Sequence, residues 1–210
     1  MHRDSLIWFF NENGLDNEAA PPAAAHEHFR IKLLKDNVAL QDVMEESLLE
    51  RLPHQEEAVS GEREKIMSAT TCQQVVRFMR SGTDILNQHL LVNKALEFEE
   101  ELIPILIKML KTSLNDLFIE ASIRFLAVCK KDVSEELIAA CGEIRNPYAL
   151  SLVLVALGFR AGENHIPWFM KKFNELQELY PGENYCYGAF YALHEMENRF
   201  YRDSRRISGV

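Results

Sequence analysis

The sequence predicts an all-α protein: an α-α superhelix of about four antiparallel helix pairs, preceded by an N-terminal helical segment. Three observations carry that expectation. The phrase Leu102-Ile103-Pro104-Ile105-Leu106-Ile107-Lys108-Met109-Leu110 recurs as His165-Ile166-Pro167-Trp168-Phe169-Met170-Lys171-Lys172-Phe173, its prolines 63 residues apart (104 to 167). That distance is about twice a helical-repeat period. A proline-free version, Glu135-Glu136-Leu137-Ile138-Ala139-Ala140-Cys141, sits midway. Candidate helix starts then fall on a grid of about 32 residues: Thr83-Asp84, Asn115-Asp116 and Asn146-Pro147 for one set, Glu100, Asp132 and Asn164 for the other. Most offer a side-chain oxygen to the orphan N–H groups of a first turn, and Pro147 simply lacks one.

Residues 1–65 read as an N-terminal helical segment with flexible linkers. Ser5 to Phe10 suits a short helical turn, Asn11 to Asn17 a polar turn around Gly14, and Ala19 to Ala25, with Pro21-Pro22, a linker into a short helix. His26-Glu27-His28 invites a metal reading, but positions i and i+2 point apart on a helix, so a solvated helix start is expected. Asp36 to Leu52 repeats apolar residues near a 3.6 period, with Asp36 as cap and Pro53 as stop. His54 to Glu64 is polar and reads as a surface connection.

Residues 66–200 carry the pairs: Ile66–Arg80 with Thr83–Phe98, Glu99–Lys111 with Asn115–Lys130, Asp132–Arg145 with Pro147–Arg160, and Asn164–Leu179 with Glu183–Phe200. The N-terminal segment is expected to cap or pack on the first pair. Pro167 fits a first turn capped by Asn164; Pro104 lies deeper, which predicts a bend or a later start. Residues 201–210, with Arg205-Arg206-Ile207-Ser208, read as a flexible tail.

Composition narrows the function. Hydrophobic residues are 47% and charged residues 26%, an ordinary globular balance. A net charge of −9 makes the chain acidic and counts against a nucleic-acid backbone as its main ligand. Cys72, Cys129, Cys141 and Cys186 form no C-x-x-C pair and sit in apolar patterns, so free buried thiols in a reducing compartment are expected. The longest apolar run, about 12 residues from Tyr148, is short of the ~18 needed to span a bilayer. A cytoplasmic protein with no membrane partner is the simplest expectation.

Short helix pairs, an Ile-Pro-apolar-apolar phrase opening the first helix (Ile103-Pro104, Ile166-Pro167), and Asn115-Asp116 opening a second helix resemble the HEAT repeat family over residues 66–200. Ala156-Leu157-Gly158 and Ala192-Leu193 match its second helices, whereas Phe118-Ile119 replaces the usual Val-Arg and the third unit lacks its proline. The resemblance implies an α-solenoid whose second helices line a concave face gripping a protein or, in basic members, nucleic acid.

On that basis the expected function is a non-catalytic interaction scaffold or adaptor for a protein partner. The alternatives are a nucleic-acid-binding HEAT-like protein, or a helical enzyme or lyase-type assembly factor. Tyr187, Tyr191, His194 and Asn198 form one stripe at i+3/i+4 spacing on the last helix, and rings with polar tips suit a partner surface. Asp116, Glu120 and Arg124 form a charged stripe that a partner could read. No catalytic, metal or cofactor site is expected. In His194-Glu195-Met196-Glu197-Asn198, Asn198 stands where a zinc-protease helix needs its second histidine, and no glycine-rich phosphate loop or G-x-S-x-G occurs.

Overall fold

The computed structural model describes residues 2–13, 22–43 and 56–202. All regular structure among them is helical. The helices are α1 (His2–Glu12), α2 (Ala23–Lys35), α3 (Leu40–Val43), α4 (Glu56–Met67), α5 (Cys72–Ser81), α6 (Gln88–Leu96), α7 (Glu99–Leu110), α8 (Asp116–Val128), α9 (Ser134–Cys141), α10 (Pro147–Gly158), α11 (Ile166–Leu179) and α12 (Tyr187–Glu197). Single 3₁₀ turns precede α6, α11 and α12, and a π turn follows α12 at Asn198–Arg202.

At α8 and α10 the boundaries follow the cap chemistry. Asn115 Oδ1 accepts from Phe118 N–H to open α8, and Asn146 Oδ1 accepts from Tyr148 N–H to open α10 beside Pro147. Asp132 holds the turn before α9 by accepting from both the N–H and the hydroxyl of Ser134. Pro167 lies in the first turn of α11, but Asn164 does not cap it: Asn164 sits in the 3₁₀ turn Glu163–His165, and His165 stands at the cap position with no side-chain cap bond. Pro104 does not delay its helix: α7 starts at Glu99 and runs through the proline, which faces solvent.

The earlier chain departs from its pattern. The expected helix from Ile66 breaks at Ser68–Thr71 into two helices, because Thr71 and Gln74 close a capping box that starts α5 anew. The polar stretch before it is α4 rather than a connection. Its Glu62 accepts from Asp84 N–H and Asn87 Nδ2, so hydrogen bonds to the next turn replace an apolar stripe. Asp36 and Asn37 end α2 instead of starting a helix, with Asn37 at φ 55°. The turn around Gly14, the start of the alanine-proline linker, the stretch 44–55 with Pro53, and residues 203–210 of the tail lie outside the described residues.

The second helices of successive pairs pack in order, α6 on α8, α8 on α10 and α10 on α12. Nine consecutive residues of α10 and its cap, Ser151 to Phe159, are buried, as expected for a helix covered on several sides. The α10–α12 contact is close enough that two positions exclude a side chain. A Cβ on Gly188 would stand 2.0 Å from the Ser151 carbonyl oxygen, and one on Gly158 2.5 Å from Ala192 Cα.

The N-terminal segment packs in two places: α3 and α4 meet the first pair at α6 and the turn before it, as expected, whereas α1 and α2 pack further along the stack. Helix α1 seats Leu6 and Phe9 against α11 and α12, with Phe9 edge-on to Phe173 at 4.9 Å. Helix α2 lies against the second helices α8, α10 and α12. Leu6, Phe9, Ala24 and Ile31 therefore belong to the same hydrophobic core as the pairs.

Candidate functional site

The face of the second helices is where the predicted residues meet, and α2 lies across it. The buried positions of α2 are Ala24, Glu27, His28 and Ile31, one helical stripe of which half is polar. Glu27 and His28 are adjacent in sequence, so their side chains leave the helix about 100° apart and reach different neighbours.

Glu27 reaches α8. Its carboxylate accepts from Arg124 Nε at 2.7 Å and from Arg124 Nη2 at 3.2 Å, a two-pronged pairing suited to a guanidinium. Arg30 Nη1 donates to the same carboxylate at 2.7 Å. Arg124 also donates to Glu120 at 2.9 Å, and the Tyr148 hydroxyl of α10 donates to Glu120 at 2.8 Å. Two arginines thus meet two carboxylates, a balance that burial of Glu27 (2% exposed) and Arg124 (4%) requires. Burial, then the Glu120 charge, pushes the Tyr148 phenol well above its ordinary range, so it stays a donor.

His28 reaches α12. Its Nε2 lies 3.0 Å from Glu195 Oε2, and both residues are buried. The imidazole sits among rings, with Phe159 at 5.0 Å, Tyr191 at 5.5 Å and His194 edge-on at 6.0 Å. Lys35 Nζ lies over the Phe159 ring, 5.9 Å from its centroid. Burial, with Arg160 and Arg199 nearby, lowers the Lys35 pKa.

Comparison with protein-family models, curated proteins and solved structures finds no match. The site therefore rests on its own geometry.

Glu120 and Arg124 are brought together with α2 and are not a solvated stripe, because Glu27 comes in over them; Asp116 stays exposed at the start of α8. Tyr191 and His194 are half-buried against the N-terminal segment: Tyr191 faces His28, and Phe10 of α1 meets His194 at 6.2 Å. Tyr187 stands edge-on to Phe190, and Asn198 Nδ2 lies 3.3 Å from His194 Nδ1.

Glu27 and His28 are the residues sequence reasoning misplaced, reading them as a solvated start. Glu195 and Tyr148 it did not single out for a polar role. The usable signal was the spacing 24, 27, 28, 31, which is a helical face once polar residues are admitted to it.

All four cysteines are free and buried, with burial raising Cys129 to about 11 and Cys141 to about 12. Among the described residues no three His, Cys, Asp or Glu side chains converge as metal ligands. No described helix is long and apolar enough to cross a membrane.

Proposed function

We propose that this chain is a non-catalytic protein-binding module, a HEAT-like stack of helix pairs that grips a partner on the face of its second helices. One observation carries the reading: that face already holds an α-helix across α8, α10 and α12, anchored by charged side chains on two of the three. A surface that binds a helix of its own chain this way has the shape and chemistry to bind one from another protein. Two of the cations a nucleic acid would need are engaged within the chain. Arg124 is matched by Glu27 and Glu120, and Arg160 donates to the carbonyls of Ala127, Cys129 and Lys131.

The test is capture from source-cell lysate followed by cross-linking mass spectrometry, with the native chain beside a Tyr187→Ala/Tyr191→Ala/His194→Ala variant of matched helicity. A partner cross-linked to α8, α10 or α12 and reduced by the variant supports the reading. Cross-links confined to the first helices α5, α7, α9 and α11 would overturn it.

A further inference from the structure

We infer that α2 is a resident occupant of a helix-binding groove, and that the groove accepts from a partner protein an α-helix presenting a carboxylate followed directly by a nitrogen donor. The inference rests on the proposed binding face and adds the chemistry of what that face takes.

The groove defines two anchors on different walls. Arg124 on α8 demands a carboxylate, and Glu195 on α12 demands a donor such as imidazole, ammonium or guanidinium. Adjacent residues of one helix satisfy both walls at once, with α10 as the floor between them. Ala24 and Ile31 complete the footprint: a small residue three positions before the carboxylate and an aliphatic one four positions after it. An acid–base pair in that order, framed by Ala and Ile, is a recognition pattern with a direction, because reversing the helix would bring the carboxylate to Glu195.

The contact is built to be left as well as made. The floor helix α10 buries only Ser151 as a polar side chain between 149 and 158. By contrast α2 places two ionisable groups among its four buried positions, and these regain water when the helix departs. Its N-terminus has Pro22 at the cap position with no side-chain cap, and Phe29 on its outer face is 50% exposed. A small cleft of about 20 Å³ remains beside it, between Leu33, Leu34 and Val38 on its own side and Ile85, Gln88 and His89 on the other.

A labelled peptide of residues 22–38 serves as the probe, titrated by fluorescence anisotropy into the full chain and into full-chain Glu27→Ala/His28→Ala. Far-ultraviolet circular dichroism first confirms that the variant keeps its helix content. The peptide should bind the variant at least tenfold more tightly than the native chain, whose own α2 competes at high effective concentration. A peptide with the same two alanines should lose at least tenfold.

If the double variant loses helicity, full-chain His28→Ala takes its place, and the ordering must hold. Equal binding to native and variant chains, or a two-alanine peptide as good as the parent, overturns the inference. So does a variant or native chain that exchanges α2 between copies and runs as a dimer by light scattering. Peptide failure with partner cross-links still on α8, α10 or α12 sinks this inference alone; cross-links elsewhere sink the binding face itself.

Discussion

Replacing Arg124 by methionine keeps most of the aliphatic volume and removes the charge. Glu27, 2% exposed, then loses two of the three hydrogen bonds its carboxylate accepts and keeps only the one from Arg30. Bonds to charged groups are worth about 1.5–3 kcal/mol each, and stranding one member of a buried pair costs about 3–5 kcal/mol. Opposing this, α2 is held by burial of Ile31, about 2–3 kcal/mol, and of Ala24, under about 1 kcal/mol. The stranded carboxylate therefore offsets the apolar hold, α2 releases, and the loss stops near the free energy that docked it, about 3 kcal/mol. Urea unfolding followed by circular dichroism reads that loss; in a thermal melt it is roughly 10 °C for a chain of this size. The companion variant Glu27→Leu/Arg124→Met removes both charges and should recover most of the stability, since apolar replacement of a buried pair is often neutral. A loss below about 1 kcal/mol for Arg124→Met, or a double variant as unstable as the sum of its parts, would refute the anchor.

Gly188→Ala should destabilise by about 3 kcal/mol or more, because the new methyl meets the Ser151 backbone carbonyl and cannot be accommodated by a side-chain rotation; a melt within 2 °C of native would contradict this crossing. Hydrogen bonds from the Ser134 hydroxyl and N–H lower the Asp132 pKa, so the stability they confer is present above the ordinary carboxylate range and is lost as pH falls below it. Ser134→Ala should raise the Asp132 pKa toward its ordinary value in an NMR titration and shrink that acid-side loss. Burial raises Cys129 from 9.0 to about 11, so the folded state keeps this contribution below about pH 9 and loses it as pH rises toward 11. Alkylation of Cys129 at pH 8.5 should accordingly run no faster than unfolding, whereas the rate of a free thiol would place it at the surface.

Where helix boundaries depend on local chemistry, the sequence is readable. Asn115, Asn146 and Pro167 each sit where the cap or first turn needs them, and the apolar periods of α7 to α12 name their core. The all-α class follows from those elements. Legibility fails where a helix is held by polar contacts from afar. Helix α4 lacks an apolar stripe and is tied through Glu62 to Asp84 and Asn87. Helix α2 owes the burial of Glu27 and His28 to Arg124 and Glu195, which are 97 and 167 residues away in the chain. No local pattern announces such partners, so His26-Glu27-His28 reads as solvated and the Glu120/Arg124 stripe reads as free.

The same distance explains the placement of the candidate site. Tyr191 and His194 fall on one helical stripe as expected, yet the segment that half-covers them is the beginning of the chain, folded back on its last pair. A residue grid at about 32 specifies neighbours within the stack. It carries no information on where a segment outside the grid will lie.

Amide hydrogen exchange on the native chain discriminates a groove with a removable helix from a core with an extra one. Under exchange at constant structure, the amides of α2 should open as a unit with a free energy well below that of α10, while α8, α10 and α12 remain protected together. If α2 amides exchange only at the rate of α10, the helix leaves its face only when the whole stack unfolds, and the face is not a binding groove.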